Sequence, residues 1–357
     1  MTASSPPSTT KPSIMTNVWR DLPRPIHGLA PMEDVTDTVF RRLIIGWGRP
    51  DVVFTEFIHA GLVIEPRGKR PGLSPRLVHS PIERPIVAQI WGNDPEQYAR
   101  ASLRLRELGF DAIDINMGCP VPKIRNRGAC SALIRNPTLA SELIDAAKTG
   151  GLPVSVKTRI GFDRVETEEW AGHLLSSGID ALTLHGRTAT QESEGPVLWE
   201  EIARAARIAR TMGAATAVLG NGDVMSRHEI DTRCARYGLD GVLVGRGVFA
   251  DPLLFNADPS ARGFRDMTDG DRVAMLGEHV ALYREVWGST RNYEILKKFY
   301  KIYLQGLSDP TLRDDLNRTH DYASAESVIG EWFACRRDAT RATGCATRAE
   351  PTAADAR

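Results

Sequence analysis

The sequence predicts an α/β fold: a (β/α)8 TIM barrel followed by a small C-terminal all-helical domain. Three observations predict it. Short apolar, often β-branched runs recur as far as Val244; segments of helical period separate most of them; and past about residue 265 the strand signal stops while helical period continues. Composition permits this, since 357 residues at 42% hydrophobic and 25% charged suit one large domain with a small second one.

The runs are Ile26–Ala30, Val52–Thr55, Ile86–Ile90, Ala112–Asn116, Val154–Lys157, Ala181–His185, Ala217–Gly220 and Gly241–Val244. Most are bounded by Gly, Pro or Asp, and they read as parallel strands buried on both faces. Pro95–Leu108, Pro137–Lys148, Glu166–Ser177, Glu200–Met212 and Arg227–Tyr237 read as the helices between them. Strands and helices alternating in this way close into a barrel. The rival is an open doubly wound sheet. It needs a G-x-G-x-x-G turn after the first strand, where Ala30-Pro31-Met32-Glu33 stands instead. Gly270–Trp287, Tyr293–Gly306 and Ala323–Arg336 read as the appended helices. The expected organisation is a disordered Ser/Thr/Pro-rich extension over residues 1–20, a barrel over 21–258, a helical domain over 265–337 and a flexible tail over 338–357.

Lys+Arg and Asp+Glu balance at 45 each, so net charge leaves nucleic acid open and a local patch must decide. The cysteines are Cys119, Cys130, Cys234, Cys335 and Cys345, an odd and scattered set without a C-x-x-C pair. That points away from zinc, iron–sulfur clusters and a disulfide framework, and no metal is expected. Neither a signal-peptide pattern nor an apolar run of about 18 residues is seen, so the expectation is a cytoplasmic protein without a membrane partner. Monomer is the default expectation.

In barrel enzymes the active site lies at the C-terminal strand ends. Polar groups stand at nearly every one of them here. Gly220-Asn221-Gly222-Asp223 and Gly245-Arg246-Gly247 follow the last two strands, where glycine lets backbone N–H groups approach a phosphate. Tight turns alone would also explain them. Lys157 ends an apolar strand and suits either a Schiff base or the holding of an anionic group. His185 is a site group or a core histidine, and Asn116 a substrate contact or a turn former. Gln89 can both donate and accept, as the edge of a flavin or pyrimidine ring requires. Cys119 lies in a polar, basic loop with Lys123, Arg125 and Arg127. Its thiol serves as general acid or as nucleophile. Cys130 reads as a weaker candidate or as packing. Arg291, Lys297, Lys298 and Lys301 crowd one expected helix with Tyr293, Tyr300 and Tyr303. Lys297 and Lys301 would share a face, as phosphate contacts would need.

Ala30-Pro31-Met32, Ala88-Gln89, Asn116-Met117-Gly118-Cys119-Pro120, Lys157-Thr158-Arg159, His185-Gly186-Arg187-Thr188, Asn221-Gly222-Asp223 and Gly245-Arg246-Gly247 together closely resemble the tRNA-dihydrouridine synthases. The resemblance runs in order from about residue 26 to 250, and the helical tail sits where that family carries a tRNA-binding domain. It implies an FMN-dependent oxidoreductase that reduces uridine in tRNA with NADPH as reductant. Pro31, Met32 and Gln89 would contact FMN, with Glu33 beside them. Lys157 and His185 would line the flavin, and Asn221, Gly222, Asp223, Gly245 and Arg246 would hold its ribityl and phosphate parts. Asn116 and Arg187 would face the substrate base, and Lys297, Lys298 and Lys301 the tRNA. Hydride would pass from flavin N5 to uracil C6, and Cys119 would protonate C5. Many members carry Gly where this chain has Cys130, which leaves a second thiol near the site. Three other readings fit parts of the pattern. They are an FMN barrel reductase of small molecules, a phosphate-binding lyase using Lys157, and a catalytically idle tRNA-binding protein.

Overall fold

The computed structural model describes residues 17–64 and 73–346, with side chains described as far as residue 337. The described residues divide between Val248 and Phe249 into two compact units.

The first unit is a closed barrel. Its strands are β1 (Ile26–Leu29), β2 (Val52–Phe54), β3 (Ile86–Trp91), β4 (Ala112–Met117), β5 (Val154–Arg159), β6 (Ala181–His185), β7 (Ala217–Asn221) and β8 (Gly241–Val244). All pair in parallel with their sequence neighbours, and β1 also pairs β8, which closes the ring. A two-residue strand, Ile58–His59, adds to the mouth end of β3. The expected eight-stranded barrel is the observed fold, with strand ends moved by a residue or two.

Side chains alternate between barrel interior and helix layer with the strand period of two. The interior therefore has levels. Its floor is apolar, with Ile26, Val52, Phe54, Val87, Ala112, Ala181 and Ala217 clustered around Val18 and Trp19. Two residues further along the strands come Gln89, Asp114 and Ser155, register neighbours on β3, β4 and β5. Two further still come Asn116 and Lys157, again neighbours, and near the mouth Arg159, His185 and Asn221. Polarity thus rises from floor to mouth, and that gradient places the site.

Residues 17–20 depart from the expected disordered extension. Val18–Asp21 is a helical turn capped by Asn17, and Trp19 is buried in the barrel floor. The Asn17 Nδ2 donates to Asp180 at 2.6 Å, tying this turn to the loop before β6. A single large indole packs into the barrel floor, and composition averaged over a Ser/Pro-rich stretch hides it. Residues 1–16 lie outside the described residues.

The helices between strands begin within a residue of where they are expected, and three of them start at a side chain that caps them. Asp94 accepts from Glu96 N and Gln97 N, Asn136 from Leu139 N and Ser226 from Glu229 N. A further helix, Thr38–Trp47, follows β1. Its Thr, Val and Ile content masks it in the sequence. Asp37 caps it, and a buried Arg41–Glu83 ion pair (2.6 Å) anchors it.

The second unit is helical: Asp269–Trp287, Thr311–Arg318 and Tyr322–Ala346, with a 3-10 segment Tyr293–Phe299 running into the short helix Tyr300–Leu304. The expected single helix Tyr293–Gly306 is thus divided at Phe299. Tyr293, Tyr300 and Tyr303 face the interior, where Tyr293 and Tyr300 share a hydroxyl contact (2.6 Å) and Tyr303 meets His279 Nδ1 (2.9 Å). Burying three ring hydroxyls with partners outweighs keeping an unbroken helical ladder. The last helix continues to Ala346, into the range expected to be a flexible tail, and residues 347–357 lie outside the described residues. Among the described residues no helix is long and apolar enough to cross a membrane.

Candidate active site

The strand ends surround a cleft of about 470 Å³, walled by Pro31, Met32, Lys157, Arg159, His185, Asn221, Gly222, Asp223, Gly245 and Arg246. Lys157 reaches up from β5 and donates to Asn221 Oδ1 at 3.1 Å. The Asn221 Nδ2 in turn donates to the Leu243 carbonyl at 2.7 Å, which fixes the direction of its amide. Burial, reinforced by the Arg159 charge, pushes Lys157 down to about 8. The same causes act more strongly on His185: burial first, then Lys157, Arg159, Arg187 and Arg246, bring it to about 2. That ring is neutral throughout the physiological range and can offer a neutral N–H or lone pair.

At one end of the cleft Asp223 lies between two guanidiniums. Arg246 meets its Oδ1 at 2.6 Å and Arg187 bonds its other oxygen, and together they hold the carboxyl below its ordinary range. Two cations on one carboxylate leave this end positive. Gly222 sits at φ +132, and a Cβ there would meet both Val197 methyls at 2.9 Å. A Cβ at Gly245 would meet Met32 Sδ at 3.6 Å, an ordinary contact, and the residue lines the cleft.

Cys119 follows β4 in a loop held from three sides. Asn116 Oδ1 accepts from Gly118 N (3.0 Å) and Cys119 N (2.9 Å). Arg159 Nε donates to the Gly118 carbonyl at 2.7 Å, and Ser131 N donates to the Cys119 carbonyl at 3.3 Å. The half-buried Cys119 thiol is brought down to about 7. A hydrogen bond from the Cys130 thiol is the largest cause, burial opposes it, and the Val121 N–H and the Arg159 charge add to the lowering. Cys130 is fully buried, and burial pushes its own thiol well above the usual range, so it remains S–H and acts as donor. It also holds φ +53, a left-handed conformation unusual outside glycine. A partly exposed thiol balanced near neutrality beside a polar cleft can give up or take a proton at working pH.

A family model described as dihydrouridine synthase (Dus) matches residues 28–335. The chain belongs to the dihydrouridine synthase family. Among dihydrouridine synthase relatives, it is 43% identical over 319 residues to a Bacillus subtilis (strain 168) protein named "Probable tRNA-dihydrouridine synthase 2", covering 88% of this chain and 96% of that one. It is 38% identical over 321 residues to a Staphylococcus aureus (strain COL) protein named "Probable tRNA-dihydrouridine synthase", covering 89% and 96%. Among solved structures, morphinone reductase in complex with tetrahydroNAD matches 67% of this chain and 90% of its own, at 14% identity and a TM-score of 0.44. At that level the likeness carries no argument about activity.

On this dihydrouridine synthase scaffold most of the expected site residues converge, and some lie elsewhere. Pro31, Met32, Lys157, His185, Asn221, Gly222, Asp223, Gly245 and Arg246 share the cleft. Gln89 is buried beneath it and bonds Asn116. Glu33 pairs with Arg76. Arg187 is 3% exposed, and its guanidinium is committed to Gly195 O (2.6 and 2.9 Å) and Asp223. In the second unit Lys297 donates to Asn317 O (2.9 Å) and pairs with Glu294, while Lys298 and Lys301 are exposed. Cys130, a weaker candidate in the sequence, touches the Cys119 thiol. Two residues had no assigned role in the sequence: Arg159, which grips the cysteine loop, and Asp114, which bonds Gln89. Arg159 and Asp114 share strand faces with Lys157 and Asn116, two positions away, and the strand period was the signal that could have found them.

Proposed function

We propose that this chain reduces uridines in tRNA to 5,6-dihydrouridine, using FMN with NADPH as reductant and Cys119 as the proton donor. The observation that carries the reading is the Cys119 thiol, balanced near neutrality and anchored by Asn116 at the same mouth as a cleft with one positive end. The names of the Bacillus and Staphylococcus relatives support tRNA as substrate.

The donor set fits FMN. Gly245 lines the cleft without a side chain of its own, and the Arg187–Asp223–Arg246 cluster supplies net positive charge for a phosphate. Lys157 and neutral His185 suit the edge of a flavin ring, and Asn221 the ribityl hydroxyls. FMN held there would supply a hydride to uracil C6, with NADPH as the source of reducing equivalents. The residues of the chain do the remaining work. A uridine must leave its stack to reach the mouth of the barrel. Negative charge arising at C5 and O4 is quenched when the Cys119 S–H gives its proton to C5. The thiolate left behind keeps the Cys130 S–H and Val121 N–H as donors. Exposed Lys298 and Lys301 of the second unit suit tRNA phosphates.

The test combines the purified chain with FMN, NADPH and unmodified tRNA, and measures dihydrouridine by mass spectrometry of the digested tRNA. Cys119→Ala is expected to retain flavin and to lose turnover by a factor of about 100 or more, the scale of general-acid catalysis. Full activity in that variant would overturn the role of Cys119. Absence of bound flavin and of any flavin uptake would overturn the cofactor.

A further inference from the structure

Asp114 is the one carboxylate on the inner face of β4, and it is completely buried. It touches neither the cleft nor Cys119. Its two oxygens are nevertheless both committed. Ser155 Oγ donates to Oδ1 at 2.6 Å, and Gln89 Nε2 donates to Oδ2 at 2.7 Å.

The second contact has a directional consequence. An ionised carboxylate only accepts, so the Gln89 amide must turn its NH2 downward and its oxygen upward. That oxygen accepts from Asn116 Nδ2 at 3.1 Å. Asn116 must then turn its own oxygen toward the loop, where it accepts from Gly118 N at 3.0 Å and Cys119 N at 2.9 Å. The chain of contacts is polar in one sense throughout, from an acceptor-only end at Asp114 to a donor-only end at the backbone of Cys119. Reversing the Gln89 amide would set its oxygen against the Asp114 carboxylate, and reversing the Asn116 amide would set its NH2 against the Gly118 and Cys119 N–H groups.

We infer that Asp114 is a positioning residue for Cys119, acting through the Gln89 and Asn116 amides that carry its acceptor character up the barrel to the cysteine loop. This rests on the proposed role of Cys119. Burial pushes its carboxyl up to about 6 from 3.8, against the lowering effects of Gln89, Ser155 and Lys157, so its ionised form works against the fold rather than for it. A group the fold disfavours in its charged form, at the base of a directed chain ending on the candidate acid, is placed for what it orients.

Two variants separate the acceptor from the charge. Asp114→Leu keeps similar bulk and removes the acceptor, so Gln89 must carry an unpaired buried N–H or swing away from Asn116. Asp114→Asn keeps one oxygen for Gln89, and Ser155 can reverse its hydroxyl to accept from the new NH2. Hydrogen exchange of the Gly118 and Cys119 amides, read by mass spectrometry on the full-length protein, reports the end of the chain without any turnover. In Asp114→Leu those two amides are expected to exchange about tenfold faster, while amides of β5 to β8 keep wild-type protection. The kcat for tRNA falls about tenfold with KM little changed, the loss of one well-made hydrogen bond at working geometry. Asp114→Asn restores both readouts to within about threefold of wild type. If Asp114→Leu does not fold, Asp114→Ala serves in its place. Unchanged exchange at Gly118 and Cys119 in the folded Asp114→Leu or Asp114→Ala variant overturns the inference, as does an equal loss in Asp114→Asn. If exchange responds as described while even the wild-type chain reduces no tRNA, the proposed function falls and the positioning of the loop by Asp114 stands.

Discussion

Replacing Cys130 tests how the acid strength of Cys119 is set. The Cys119 thiol falls from its ordinary 9.0 to about 7, and the hydrogen bond from Cys130 is the largest cause. Cys130→Ala removes that donor and leaves the Val121 N–H and the Arg159 charge in place. Losing the largest contribution should return about one pH unit of the fall. At pH 7 the thiolate fraction would then drop from about one half to about one tenth, and alkylation by iodoacetamide would slow about fivefold. Proton donation responds in the opposite sense. A donor must be protonated, so activity falls as pH rises through about 7 in the wild type, and the falling limb moves about one unit higher in the variant. The assay is alkylation of the Cys119 peptide across pH 5.5 to 10 (about the span over which a thiol of this kind titrates), read by mass spectrometry. Peptide resolution matters because Cys335 is also exposed. Cys130→Gly is the companion variant, since glycine accepts φ +53 without strain. A midpoint unchanged in both folded variants refutes the thiol–thiol coupling.

Glu83→Ala should destabilise the barrel unit by about 3 to 5 kcal/mol, because it strands the fully buried Arg41 guanidinium and removes the acceptor of Thr38 Oγ1 (2.5 Å). Calorimetry should find Tm lower by about 6 °C or more, and an unchanged Tm would mean the pair contributes nothing. Gly245→Ala should leave Tm within about 2 °C of wild type, since its Cβ meets no atom nearer than 3.6 Å, yet weaken FMN retention about tenfold by adding a methyl where the backbone lines the cleft. Undiminished flavin binding in that variant would move the phosphate away from this turn.

How much of this was legible in the sequence follows from what each feature depends on. The eight strands were legible because each is a short run buried on both faces, and burial on both faces writes itself as unbroken apolar residues such as Val52–Phe54 and Gly241–Val244. The cleft residues were legible because a barrel collects whatever follows its strands at one rim, so Lys157, His185, Asn221 and Gly245 could be gathered by position alone. Trp19 was not legible as part of the barrel floor, since one aromatic in a polar stretch has no period. Nor was the turning inward of Tyr293, Tyr300 and Tyr303, whose hydroxyls find partners only across the helices of the second unit. By itself, then, the sequence determined the fold, the rim and the family to which the chain belongs, all of which rest on patterns local to a strand and its end. Only the tertiary structure decided that Cys130 donates to Cys119, that Arg187 is spent on Gly195 and Asp223, and that Asp114 lies at the base of a chain of amides reaching the cysteine loop. The first depends on how the loop after the fourth strand folds back on itself, the second on the loop after the sixth strand meeting the turn after the seventh, and the third on lateral register between strands. Each brings together residues by three-dimensional geometry that a period along one element does not encode.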